Sequence, residues 1–389
     1  MANTLTGVIP TLYEALNIVS REMVGMIPAV TRDTSAERAA LNQTVRSPIG
    51  VSGALEDITP GATPANSGDT TVSYVDVTIS KSKAAPIRWN GEEEKGVGTT
   101  GVYNKVLADQ FADGMRKLVN AIEVDLAACA KVNASRAYGT AGTTPFGTNG
   151  DLTDLAGVRK ILEDNGSPTA DLQFVGNSAT WLNLRGKQNM LLKVNEAGTQ
   201  TMLRDGIIPE GVLGFSMRNS AGISLHTKGG ATGSLINNAS GEVVGETTLT
   251  LDTITVNTTG ILAGDVVTFA ADTTNKYVVN TGLVATSGDI VIGKPGLLVA
   301  APDNNAMTIG NSYTGNYAFN RGSIVLASRA PAMPSGGDSA DDRMTITDPI
   351  SGLTFEVSLY RQYRQVKYEI ALAWGCAAAN GAHIATLLG

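Results

Sequence analysis

Apolar residues at three- and four-residue steps mark one long helix. Leu107, Phe111, Met115, Leu118, Ile122, Leu126 and Cys129 keep that spacing from Tyr103 to Ala134, with no proline between them. A helix of about 30 residues is about 45 Å long, more than a small domain needs. The same spacing at Leu12, Leu16, Val19, Met23 and Ile27 predicts an N-terminal helix that Pro10 opens and Pro28 ends. Its stripe needs cover, from its own domain or from a neighbour. Leu152–Asn165 reads as a further helix, closed by Gly166. A buried strand at Leu172–Val175 follows, then a helix start at Asn177-Ser178 near Trp181, and the α/β alternation continues to about His226.

Elsewhere the period is two. Between Thr44 and Trp89, Pro48, Gly50, Gly53, Pro60, Gly61, Pro64 and Gly68 interrupt two extended stretches. The second, Thr71–Ser80, places Val75, Val77 and Ile79 on one face. A two-stranded excursion with one thin apolar face is marginal alone in water and is expected to lie on another surface. From Gly229 to Met307, short strands are expected at Thr247–Leu251, Val266–Phe269, Tyr277–Val279, Asp289–Ile292 and Leu297–Val299, separated by turn signals. They suggest a small antiparallel barrel or sandwich. Three strands close the chain: Ser323–Ser328, one carrying Phe355, Val357 and Leu359, and one alternating Val366, Tyr368, Ile370, Leu372, Trp374 and Cys376. Ala371, Ala373, Gly375 and Ala377 lie behind the last, a face on which a helix is expected to pack closely. No repeat of twenty to fifty residues is seen.

The chain has 389 residues, enough for two or three domains. Charged residues are 17%, below the roughly 25% usual for globular proteins, which points to β-rich structure or to a surface largely covered by copies of itself. A net charge of −7 argues against general affinity for nucleic acid. About −5 of it falls between Gly229 and Met307, where seven acidic residues face Lys276 and Lys294; this reads as solubility. Two cysteines and two histidines leave little for metal or proton chemistry, and Cys129 on the apolar stripe reads as an inert buried thiol. No secretory leader or membrane span is expected.

Three stretches imitate chemistry. Gly96–Gly101 matches a dinucleotide fingerprint, but Glu92-Glu93-Glu94 before it would repel a pyrophosphate, so it reads as a hinge. Gly288–Pro295 imitates a phosphate loop, yet Pro295 stands where a hydroxyl is needed and Gly296-Leu297-Leu298 reads as strand. Asp338, Asp341 and Asp342 fit no calcium-loop spacing and read as a solvated loop.

The order of elements resembles a tailed-phage major capsid protein of the Hong Kong 97 type. Local matches are Asp205-Gly206-x-Ile208 with Val212, Gly214-Phe215, Arg218 and Ser220; Phe174-Val175-x-Asn177 before Trp181; and a closing strand Ile370-Ala371-Leu372-Ala373-Trp374-Gly375. The resemblance implies an α+β fold with an N-arm (1–42), an E-loop (43–90), a peripheral domain with a spine helix (91–150), and an axial domain (151–228, then 309–389 with a return to the peripheral domain). An inserted all-β barrel-like domain (229–308) is similar to that of Salmonella podovirus-type coat proteins. It further implies self-assembly into hexamers and pentamers of an icosahedral head around double-stranded DNA, which is held weakly and non-specifically. Scaffolding and portal proteins are the other implied partners, with assembly in the host cytoplasm and residence in the virion. No catalysis, cofactor, metal or membrane is expected. The inter-subunit residues expected are Arg88, Glu92, Glu93, Glu94, Val75, Val77 and Ile79; for the charged four, a solvated acidic turn is the other reading. Gly96, Gly98 and Gly101 are the expected hinge for shell expansion. The alternative is a β-rich surface or adhesion protein, suggested by the Thr/Asn/Gly-rich insert and opposed by the long helix.

Overall fold

The computed structural model describes residues 24–53, 55, 60, 70–98, 103–187, 211–348 and 352–389. In chain order the elements are α1 (Met26–Ala29), β1 (Thr31–Ala39), β2 (Thr44–Gly53), β3 (Thr70–Thr78), β4 (Lys81–Asn90), α2 (Gly91–Gly98), α3 (Tyr103–Asn133) and β5 (Arg136–Tyr138). Next come α4 (Thr153–Asp164), β6 (Leu172–Gly176), α5 (Ser178–Lys187), β7 (Phe215–Asn219) and β8 (Leu225–His226). Then follow β9 (Leu235–Ile236), β10 (Thr248–Asp252), β11 (Val266–Phe269), β12 (Asp272–Thr281), β13 (Gly288–Ile292) and β14 (Met307–Ile309). The chain ends with β15 (Tyr313–Asn320), β16 (Ile324–Pro331), β17 (Asp342–Thr347), β18 (Thr354–Gln362), β19 (Gln365–Ala378) and β20 (Ile384–Leu388). The class is α+β, mostly strands.

Among the described residues there are three sheets. The first has six strands in the order β1–β16–β19–β18–β17, with β4 also paired to β19. The second has twelve, running β7–β6–β15–β20–β5–β12–β13–β10–β9, with β8, β11 and β14 attached. The third is β2–β3 alone.

Helix α3 is 31 residues long and ends one residue before the expected Ala134. Leu107, Phe111, Met115, Leu118, Ile122 and Leu126 are buried in one core with Ile370, Leu372 and Trp374 of β19. The helix therefore lies on the large-residue face of β19, opposite to expectation. The small-residue face is covered by a strand: Ala373 packs with Val77, Ile79, Ala39, Val325 and Ala327. At Gly375 an added Cβ would stand 2.0 Å from the Thr78 carbonyl oxygen, so the small residues admit a backbone rather than a helix.

Helix α4 packs Leu155, Val158, Ile161 and Leu162 against Phe174 and Phe215. Its expected glycine stop is a Schellman turn: Gly166 (φ +71) and Ser167 donate to the carbonyls of Glu163 and Leu162 at 3.0 and 2.9 Å. Asn177 caps α5 through Oδ1, which accepts from Thr180 N at 2.9 Å.

Several expectations change. Residues 1–23, with Leu12, Leu16, Val19 and Met23, lie outside the described residues, as do Asp205, Gly206 and Ile208. Ile27 is buried in α1, which runs past Pro28 to Ala29, because proline is tolerated in a first turn. Strand β1, on a polar stretch with no clear alternation, was not legible. Leu297–Val299 is irregular chain with a bend rather than a strand. Strand β19 is not the last; β20 follows and pairs with β15 and β5. Strands β9–β14 share a core of Ile236, Leu249, Leu251, Val267, Phe269, Tyr277, Val279, Ile290 and Ile292. That region is joined to the larger sheet, since Lys276 and Tyr277 of β12 pair with Ala137 and Arg136 of β5.

Candidate inter-subunit surface

The hairpin β2–β3 has two different ends. At its root Ile79 N donates to Gln43 O at 2.9 Å, closing the hairpin, and Ser80 N donates to Trp374 O at 3.1 Å, tying it to the six-stranded sheet. Val77 and Ile79 are fully buried there and Val75 is half-buried against the same cluster. The chain itself therefore covers much of the stripe expected to meet a neighbour. Further out, the opposite face carries Val72 and Tyr74, 58% and 51% exposed.

Beside Tyr74 the hairpin holds a formed ion pair. Arg46 donates to both carboxylate oxygens of Asp76, at 2.9 and 3.3 Å, and its guanidinium lies 3.8 Å from the centre of the Tyr74 ring. The hydrogen bond to Asp76 raises the Arg46 pKa above its ordinary value. Sequence reading did not bring Arg46, Tyr74 and Asp76 together, although the cross-strand register, Arg46 opposite Asp76, was the signal to look for.

Glu92, Glu93 and Glu94 form the first turn of α2. Asn90 Oδ1 accepts from the backbone N–H groups of Glu92 and Glu93 at 3.1 and 2.8 Å, and Glu93 Oε2 accepts from Asn90 N at 3.1 Å. This reciprocal capping box, with three acids at a helix N-terminus, gives the cluster a local cause. Glu92 and Glu94 also line a recess of about 680 Å³ with Arg361 and Arg364. Arg88 is exposed on β4 opposite Lys367 and lines a separate groove of about 730 Å³ between β4 and α3, with Lys83, Asp109, Asp113 and Lys117. The structure thus places Arg88 and the glutamates in two neighbouring depressions and does not bring them together with Val77 and Ile79.

Gly96 and Gly98 belong to α2, where an added Cβ would meet nothing within 4 Å. Gly101 lies outside the described residues.

The three aspartates at 338–342 are engaged rather than merely solvated. Asp338 accepts from Arg343 Nη2 at 2.6 Å and Tyr360 Oη at 2.8 Å, and Asp341 pairs with Arg361 at 3.1 Å. The Tyr360 hydrogen bond holds the Asp338 carboxyl below its usual value; burial opposes it, and the hydrogen bonds from Ala340 and Arg343 add to the lowering. Behind them Glu356 is buried between Arg38 and Arg343.

Two acids of α3 clamp the surroundings. Asp125 accepts from Lys81 Nζ at 2.5 Å and Trp374 Nε1 at 2.8 Å, joining helix, β4 and β19. Glu123, 2% exposed, accepts from the N–H groups of Gly25, Met26 and Ile27 at 3.2, 2.9 and 2.8 Å and from Ser220 Oγ at 2.5 Å. The signal for Glu123 was a charge between Val119 and Leu126 on the apolar stripe. Among the described residues no group of three or more His, Cys, Asp or Glu could hold a metal. No described helix is long and apolar enough to cross a membrane.

No protein-family model matches the sequence, and no curated protein matches it. Solved structures with a similar chain path include one titled Mycobacterium phage Che8, at 12% identity and TM-score 0.44, covering 89% of this chain and 84% of that one. The capsid of cyanophage P-SCSP1u is similar at 10% identity and TM-score 0.46, covering 92% and 86%. A virus-like particle from Pyrococcus furiosus is similar at 8% identity and TM-score 0.40, covering 96% of each chain.

Proposed function

We propose that this chain is a major capsid protein, the repeating subunit of an icosahedral phage head built from hexamers and pentamers around double-stranded DNA. The observation that carries the reading is the β2–β3 hairpin. It is a separate two-stranded sheet, tied down at its root, with an ion pair, Val72 and Tyr74 turned to solvent. A lone hairpin is marginal in water, and this one gains cover when a second copy meets it. The long helix α3 spread over β4 and β19 supplies the spine, β2–β3 the E-loop, β6–β8 with β15 and β20 the axial domain, and β9–β14 the inserted β domain of the podovirus type. Scaffolding and portal proteins are the partners of assembly in the host cytoplasm, and DNA is held weakly by a wall of net negative charge.

Arg88, Glu92 and Glu94 are offered as charge partners across subunits, and Gly96, Gly98 and Gly101 as the expansion hinge. Gly96→Ala with Gly98→Ala should stabilise α2 by about 1 kcal/mol per site and raise the temperature at which precursor shells expand. Unchanged expansion in a calorimetric scan removes the hinge role.

Electron microscopy of the chain, expressed alone and with a scaffolding partner, tests the function. Closed shells, tubes or spirals are expected, and a monodisperse monomer under both conditions overturns the reading. Val72→Asp and Tyr74→Asp should leave the monomer folded, because both side chains are exposed. Burial of one such side chain at a contact contributes about 1.5 kcal/mol, so each variant needs roughly tenfold more subunit to assemble, as measured by sedimentation.

A further inference from the structure

Helix α3 crosses β19 where the two cysteines of the sequence lie. Cys376 Sγ is 3.6 Å from the carbonyl oxygen of Asp125. In a helix that carbonyl accepts the N–H four residues on, here that of Cys129. Side chains lean toward the helix N-terminus, which tilts the Cys129 thiol back over the same turn. There both cysteines pack against the same core, and Cys129 Sγ lies 3.7 Å from Asn133 Nδ2. The crossing is held by Asp125, whose two carboxylate oxygens take Lys81 and Trp374. Both cysteines are partly exposed and neither is in a disulfide.

We propose that Cys129 and Cys376 are a redox modification site, at which a small-molecule disulfide closes an intramolecular S–S bond between α3 and β19. The reading is independent of what the chain assembles into. The neighbouring Cys376 thiol, ahead of Asn133, holds the Cys129 thiol below its usual pKa against burial, while Cys129 and burial push Cys376 up. Cys129 is therefore the attacking thiolate. It attacks one sulfur of the oxidant, breaking the oxidant's S–S bond and expelling the first thiolate, which takes up a proton. Cys376 then gives its proton to water and attacks Cys129 Sγ, expelling the second thiol. The protein loses two S–H bonds and gains one S–S bond, and the oxidant is reduced to two thiols.

The test treats the folded full chain with oxidised glutathione at neutral pH, followed by thiol titration, intact mass and peptide mapping. Both thiols should disappear together, the chain should lose the mass of two hydrogens with no glutathione retained, and one peptide pair should link Cys129 to Cys376. Cys376→Ser should instead accumulate a stable glutathione adduct on Cys129, with circular dichroism confirming its fold. Cys129→Ser, the second variant, should react far more slowly at Cys376. Separate stable adducts on both cysteines of the unmutated chain, dimers linked between chains, or thiols that stay reduced until the chain is unfolded would each overturn the proposal.

Discussion

Gly375→Ala should destabilise the chain by about 3 kcal/mol in urea denaturation, the upper range for forcing one carbon into a packed site. The added methyl would meet the Thr78 carbonyl oxygen at 2.0 Å, the Thr78 carbonyl carbon at 2.8 Å and Ile79 Cα at 3.0 Å. All three are backbone atoms, so no rotamer change relieves the clash and the root of the hairpin must move. Gly375 is also paired with Ala327 in β16, which limits how far β19 can give. A hairpin shifted at its root changes direction at its tip, so assembly should fail more completely than stability alone would dictate. Wild-type stability in Gly375→Ala would mean that β3 does not rest on β19.

Glu123→Ala should cost about 4 kcal/mol or more, because it strands three buried backbone N–H groups and the Ser220 hydroxyl, each worth about 1–3 kcal/mol when unpaired and not rehydrated. The loss should be local first: amide exchange at Gly25, Met26 and Ile27 should accelerate while α3 stays protected. Burial pushes the Glu123 carboxyl above its unfolded value of 4.5, with Ser220, Ile27, Met26 and Gly25 pulling against it. A raised folded-state pKa means the native chain binds more protons above 4.5 than the unfolded chain does. The resulting stability is complete below that value and is lost as pH rises through the folded pKa. Stability relative to Glu123→Gln should therefore fall as pH increases over that window. A constant difference would mean that burial does not dominate at this carboxyl.

The long helix was legible because its burial pattern is local: six apolar residues at helical steps lie on one stripe whatever they touch. The Gly166 stop and the Asn177 cap were legible for the same reason, since each satisfies backbone groups within a few residues. The surface was only partly legible. Alternation correctly grouped Val75, Val77 and Ile79 on one face, but not whose atoms cover it. The acidic run Glu92–Glu94 was read without its helix, so its capping role was hidden. Arg46 and Asp76 are thirty residues apart in sequence, and only the hairpin register sets them opposite each other.

From sequence alone came the periods, the caps, the near absence of catalytic side chains, and an order of elements that resembles a shell protein. These depend on interactions within one or two turns or strands, where residue type and spacing suffice. Tertiary structure decided which face of β19 takes α3 and which takes β3. It also decided that β12 joins the insert to the larger sheet, and that Glu123, Asp125 and Cys376 each find a partner far along the chain. Such pairings depend on how whole elements pack, and a one-dimensional pattern identifies a face without naming what will cover it.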